Sequence, residues 1–302
     1  MKIDKIAFRI NGNHGIFYTV VACFLFAIMG ATVKYLSRDF SPVQIVFFRN
    51  VVGVGFLSFT LIRRPFINQG RRPWLLLFRG VAGTLSLYAL FYNMSAIGLG
   101  ISMTYLQTSP IFVAIFSMLF LKERLSIYGW LAIFIGFAGI VLVFRPNPSM
   151  SIESGIIGIF NGIVAAAAYT SVRELKKYYD TRVIVFSFMI IGIILPLVSM
   201  ITGEIKGTDN LEYIVSEFIM PHGMQWVWIL VVGLSAMTGQ VFITMAYGEE
   251  KAGIISAVGY LLIPFSMIIG TIMGDSIPDL LAWMGIFMII AGGVIISVRR
   301  NI

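Results

Sequence analysis

Apolar stretches of about 20 residues follow one another through this chain, and none of the polar connections between them is long enough to build a water-soluble domain. A helix of that length crosses the hydrocarbon core of a bilayer, where backbone amides must be satisfied within the protein. Ten stretches fit: 15–36, 41–62, 74–94, 99–121, 127–145, 155–173, 183–203, 226–247, 253–273 and 279–298. The 302 residues are 58% hydrophobic and 12% charged, about half the charge of a soluble domain, so the chain is an all-α integral membrane protein. The first run, 15–35, is too long for a signal-peptide core and lacks a small-residue cleavage pattern, so it reads as a retained span. The longest connection, 204–225, is polar and acidic and is expected at the surface.

Two of the spans share an unusual layout. Residues 101–124 (ISMTYLQTSPIFVAIFSMLFLKER) carry Pro110 at mid-span, and 255–275 (ISAVGYLLIPFSMIIGTIMGD) carry Pro264 in the same place. An Ile-Ser pair stands nine and eight residues before each proline, and an acid, Glu123 or Asp275, closes each stretch. Proline lacks an amide donor and clashes with the preceding turn, so each helix must bend or loosen at its centre. Sliding the chain by 154 residues superimposes the fourth span on the ninth and the fifth on the tenth, pairing Ile115 with Ile269 and Gly139 with Gly293. Five spans per half is an odd number, so similar halves must face opposite ways. The expected fold is therefore ten transmembrane helices as two inverted five-helix repeats, 1–147 and 148–302. Interrupted helices at matching places in such repeats point to a transport site, and Pro110 and Pro264 are the candidate gating residues.

Positive charge orients the chain. With the N-terminus inside, 16 of the 22 basic residues fall on the cytoplasmic face: Lys2, Lys5, Arg9, Arg63, Arg64, Arg71, Arg72, Lys122, Arg124, Arg173, Lys176, Lys177, Arg182, Lys251, Arg299 and Arg300. Only Arg38, Arg145 and Lys206 fall on the other. Both termini are expected in the cytoplasm. The net charge of +8 thus reflects loop placement, and nucleic acid is excluded as a partner.

Several chemistries are excluded. Cys23 is the only cysteine and the two histidines, His14 and His222, lie far apart, so neither an internal disulfide, a zinc site nor a Cys/His nucleophile can form. No phosphate-binding glycine loop of the Walker type is present, and no cofactor is called for. No Asp or Glu falls in the middle of a span, which argues against an intramembrane aspartyl protease and favours facilitated diffusion or exchange over ion coupling.

What remains inside the membrane is mostly uncharged. Arg49 lies seven residues beyond Pro42, roughly 10 Å into its helix, at a depth where an arginine faces protein or water. It is either pinned by helix-end carbonyls or in contact with an anionic substrate. Arg79 and Lys34 lie nearer helix ends and are expected to snorkel. The candidate substrate-binding set is Arg49, Tyr88, Tyr92, Tyr105, Gln107, Thr108, Tyr169, Gln240, Thr244 and Tyr260, with Asn93, Thr170 and Tyr247 beside them. Hydroxyls and amides in an apolar shell suit a small polar ligand, whose polar end is expected beside residues 105–108. Tyr35, Trp74, Tyr128, Trp226 and Trp228 read as interfacial belt residues. The glycines at 129, 136, 139, 155, 158, 162, 292 and 293 read as packing positions.

Together, S-P-V-Q-I-V-F-F-R (41–49), R-G-V-A-G (79–83), S-P-I-F-V-A-I-F…L-K-E-R (109–124), G-F-A-G-I-V-L-V-F-R-P (136–146) and G-Q-V-F-I-T-M-A-Y-G-E-E-K-A-G (239–253) resemble the drug/metabolite transporter superfamily, specifically its EamA-type ten-helix carriers. The resemblance implies two EamA repeats around a central cavity and alternating access. Pro110, Glu123 and Pro264 match its pattern, whereas the second acid, Asp275, arrives two residues early. Family substrates include amino acids, nucleosides, S-adenosylmethionine, organic anions and drugs, so the fold names none of them. The expected function is secondary transport of a small polar or anionic organic metabolite (an amino acid, an organic anion or an S-adenosylmethionine-type compound) by alternating access across a bacterial inner membrane. A non-transporting membrane scaffold or a membrane enzyme is the alternative. The expected partners are the small-molecule substrate and the lipid bilayer, with a homodimer allowed.

Overall fold

A computed structural model describes residues 14–63, 70–97, 99–145, 152–206, 216–273 and 279–298. Asp275 and the basic residues Lys2, Lys5, Arg9, Arg64, Arg299 and Arg300 lie outside the described residues. The described elements are helical: α1 (His14–Leu36), α2 (Pro42–Arg63), α3 (Pro73–Ile97), α4 (Leu99–Leu106), α5 (Ser109–Phe120), α6 (Ile127–Phe144), α7 (Ile152–Leu175), α8 (Thr181–Lys206), α9 (Gln225–Glu249), α10 (Ala252–Val258), α11 (Leu262–Ile272) and α12 (Leu280–Val298). Among them, nine helical stretches are long and apolar enough to cross a membrane, counting Ser102–Phe120 and Ala252–Ile272 as one each. The described apolar part of α12, Leu280–Ile295, is shorter. Phe17, Phe56, Phe59, Phe120, Phe134, Leu197 and Phe287 point outward, as a surface facing lipid requires.

Local sequence sets the helix ends. Ser41 accepts from the Gln44 amide at the start of α2, and Ser126 from Gly129 at the start of α6. Asp180 starts α8 by accepting from Arg182 N, and Asp279 starts α12 by accepting from Ala282 N. The hydrogen bond from Arg145, at the end of α6, holds the Asp279 carboxyl below the usual carboxylate range.

The proline-bearing spans are broken as the missing amide requires. α4 ends at Leu106, whose carbonyl would have met the absent Pro110 N–H, and α5 begins at Ser109, after two intervening residues. The ninth span breaks at Gly259–Leu261, a single 3-10 turn between α10 and α11. Slid by 154 residues, the first break, 107–108, falls on 261–262 and so overlaps the end of the second.

α8 carries a third proline, Pro196, and survives it through a neighbour. The carbonyl four residues earlier belongs to Gly192, and Asn50 Nδ2 donates to it at 2.8 Å. A Cβ on Gly192 would lie 2.4 Å from that nitrogen, so glycine is needed for the amide to reach the carbonyl. Asn50→Leu is expected to lower stability by about 0.6–1.7 kcal/mol, the range for hydrogen bonds between membrane helices. Pro196→Ala returns an amide to Gly192, so the Asn50→Leu loss should shrink in that background. A double-mutant cycle in detergent checks this; equal losses in both backgrounds would separate Asn50 from the proline.

The helices pack in matched pairs. α1 packs along α9 and α3 along α7; α3 also contacts α8 and α2 contacts α9; α5 lies on α7 and α11 on α1. α2 faces α8, and α6 faces α12. Polar side chains reinforce α3 on α7, where Ser86 donates to Asn161 at 2.7 Å and Asn93 to the Ser154 carbonyl at 3.0 Å. The glycines behave as packing positions: Tyr105 and Thr108 lodge against Gly158 and Gly162, and Tyr260 against Gly136.

Where it is described, the long connection lies mostly at the surface, as expected: 217–220 and 222–224 are exposed, while α8 runs on to Lys206 and Ser216 and Ile219 are tied to α2. The Gln44 amide pairs with both backbone groups of Ile219, and Ser41 bonds Ser216 across 2.8 Å.

Candidate functional site

Two buried arginines of this bundle gather around one phenylalanine. Arg49 on α2 and Arg79 on α3 are 7% and 3% exposed, and their guanidinium carbons lie 5.9 and 4.2 Å from the centre of the Phe188 ring on α8. Tyr169 on α7 stands 5.9 Å from the Arg79 guanidinium and lies in the field of both arginines. It stacks on Tyr247 of α9, with ring centres 5.7 Å apart and planes at 19°. Five helices thus contribute to one cluster.

Arg79 corrects the sequence expectation. It does not snorkel; its head turns inward over Phe188. The cause is Gly83, one turn along α3, where a Cβ would lie 2.4 Å from Arg79 Nη1 and 2.7 Å from the Phe188 ring. The R-G-x-x-G pattern therefore carries the signal: the second glycine clears the space for the arginine head. Phe188 had no signal, since one more phenylalanine in an apolar helix is indistinguishable from its neighbours.

Among the described residues no carboxylate pairs with Arg49 or Arg79, and the Nε of each has no hydrogen-bond partner. A central arginine costs about 2.5–3.5 kcal/mol on the insertion scale. A desolvated cation–π contact returns on the order of 2 kcal/mol, and the two like charges oppose each other. The cluster is consequently a site in deficit of negative charge.

The other expected residues are distributed around it. Thr244 and Gln240 are buried on α9, on the helix face that i,i+4 spacing defines, and the Thr244 hydroxyl has no partner, like that of Thr170 on α7. Tyr88 bonds Ser199 on α8 across 2.9 Å, and Tyr92 donates to Glu153 at 2.9 Å in an exposed position. Gln107 is buried at the α4–α5 break, while Thr108 donates to the Tyr105 carbonyl at 2.6 Å. Tyr105 and Thr108 are engaged in packing on α7, so the charged contacts gather at the arginines rather than at residues 105–108. Tyr260 is 1% exposed in an apolar wall with Ile140, Ile263 and Ile289, and its hydroxyl has no partner.

Helix ends at one end of the bundle are tied together next to this cluster. Glu123 Oε1 pairs with Arg173 Nε at 2.8 Å, and its Oε2 accepts from the Ala252 amide that opens α10 at 3.0 Å. Arg173 Nη1 donates to the carbonyls of Tyr247 and Gly248 at 3.0 and 2.7 Å. Lys251 donates to the Arg124 carbonyl at 3.1 Å. Tyr247 belongs to both layers: its ring stacks on Tyr169 and its carbonyl is held by Arg173.

Comparison with known proteins agrees in kind. The family model described as "EamA-like transporter family" matches residues 13–145. The chain is 30% identical over 287 residues to an uncharacterized transporter of Helicobacter pylori, covering 94% of each chain. It is 31% identical over 288 residues to the pseudopaline exporter CntI of Pseudomonas aeruginosa, covering 94% of this chain and 93% of the relative. A crystal structure at 14% identity shares the fold with a TM-score of 0.77, over 95% of this chain and 98% of its own.

Proposed function

The chain belongs to the EamA-like transporter family, and from that premise we propose that it moves a small organic anion across the membrane by alternating access. It is a multi-pass membrane transporter rather than an enzyme, with a small-molecule substrate and the lipid bilayer as partners. The observation that carries the anionic substrate is the Arg49–Arg79 cluster, two buried cations that no carboxylate pairs with among the described residues.

Ten spans in two inverted repeats, 1–147 and 148–302, form the frame of this reading. The packing pattern supports it: exchanging each helix for its counterpart five spans away turns α1–α9 into α7–α3, α5–α7 into α11–α1, and α2–α9 into α8–α3. The same exchange maps α2–α8 and α6–α12 onto themselves. The breaks shortly before Pro110 and Pro264 support gating at those two spans. The charge bias supports cytoplasmic termini, and the bacterial relatives favour an inner membrane. The similarity to an exporter favours efflux. That no carboxylate pairs with the arginines among the described residues favours diffusion or exchange.

Purified protein in liposomes, offered a panel of organic acids, amino acids and S-adenosylmethionine, tests the assignment. Transport of an acid is expected, with Arg49→Ala reducing it at least tenfold. Preference for a cationic or neutral compound, or full activity in Arg49→Ala, would overturn it.

A further inference from the structure

We propose that the Arg49–Arg79 pair is a two-point receptor for a dicarboxylate, which rests on the reading above and narrows it from anions to dianions. Both guanidinium carbons lie within 6 Å of one ring centre, at 5.9 and 4.2 Å, so they are no further apart than those two distances laid end to end. They come from α2 and α3, which both pack on α8; both are more than nine-tenths buried, and both Nε atoms are unpartnered. The aromatic neighbours Tyr169 and Tyr247 offer hydroxyls rather than compensating charge.

Charge balance selects among anions. A monocarboxylate engaging one guanidinium leaves the other buried and uncompensated, which is the costly arrangement for an ion pair stripped of its partner. A zwitterion brings an ammonium toward the second cation. A short dicarboxylate places one planar carboxylate at each fork, where two parallel N–H···O bonds can form. The unpaired Nε atoms supply donors for such contacts. Arg79 is then the specificity-determining residue: Arg49 confers attraction for any acid, and Arg79 rewards the second acidic group.

Three four-carbon probes isolate this: succinate, butyrate and 4-aminobutyrate share a chain and differ at one end. Thermal stabilisation of the purified full chain and competition against labelled succinate in counterflow are the readouts. Succinate is expected to bind at least tenfold more tightly than butyrate or 4-aminobutyrate. Arg79→Gln should weaken succinate at least tenfold while leaving butyrate within twofold, bringing their ratio near one. Arg79→Lys, which keeps the charge, should retain part of the preference. Equal affinity for succinate and butyrate in the unaltered protein, or an equal loss for both in Arg79→Gln, would overturn the dicarboxylate assignment and leave the anion reading standing. Failure of all three acids to bind at millimolar concentration would overturn both. Should Arg79→Gln fail to fold, the succinate-to-butyrate ratio of the unaltered protein decides alone.

Discussion

A single methyl group added at Gly139 is expected to destabilise the bundle by roughly 1–3 kcal/mol, the range for overpacking a close-packed interior. The new Cβ would lie 2.5 Å from the Gly285 carbonyl oxygen, and the reciprocal Cβ on Gly285 would lie 2.4 Å from the Gly139 carbonyl. Here α6 and α12 touch backbone to backbone, so no rotamer change makes room. At Gly80 the obstruction is the tip of the flexible Ile191 side chain, 2.1 Å away, and at Gly30 nothing lies within 4 Å. Melting midpoints in detergent should therefore fall in the order Gly139→Ala, then Gly80→Ala, with Gly30→Ala unchanged or slightly raised because alanine stiffens a helix. A Gly139→Ala protein as stable as Gly30→Ala would show that α6 and α12 separate without loss.

Glu123→Ala is expected to unseal the bundle at its tied end. One carboxylate there holds Arg173 and the first amide of α10, while Arg173 holds the last carbonyls of α9. Hydrogen bonds to charged groups contribute about 1.5–3 kcal/mol each when buried, less at this partly exposed site. Removing two of them should shift the balance of conformations toward opening at this end. Ser256 on α10 is buried, and the chain has a single native cysteine, buried Cys23. In a Cys23→Ala background, a cysteine introduced by Ser256→Cys should react with a membrane-impermeant maleimide at least tenfold faster when Glu123→Ala is added. An unchanged rate would mean that the knot does not control access.

The spans, their breaks and the packing glycines were legible because each follows from a local rule: apolar length, a missing amide, a missing side chain. Arg49 was legible from depth alone, since seven residues inside a helix is beyond easy snorkelling. Arg79 was misread because its long stem permits either direction, and the choice rests on Gly83 nearby and Phe188 on a helix far along the chain. The Asn50–Gly192–Pro196 contact needed the lateral register of α2 and α8, which no local pattern encodes. Tyr105 looked like a ligand group for its hydroxyl, yet its ring fills the space left by Gly158. Glu123 was legible as a terminal acid, but its two oxygens act on α7 and α10, partners fixed only in three dimensions.

The two broken spans are not mechanically equal. At the first, Thr108 closes the exposed Tyr105 carbonyl and both residues are wedged on α7, so the joint is splinted. At the second, Gly259 has open space where a side chain would be, and apart from its own turn its carbonyl receives only the Cys23 thiol, a weak donor at 3.5 Å. The next residue, Tyr260, is clamped on Gly136. A lever with its fulcrum at Tyr260 and its slack at Gly259 follows, with α10 as the arm and Glu123 as the latch on its tip. With that latch removed, α10 is expected to move further than the splinted fourth span, so the two broken spans need not move alike.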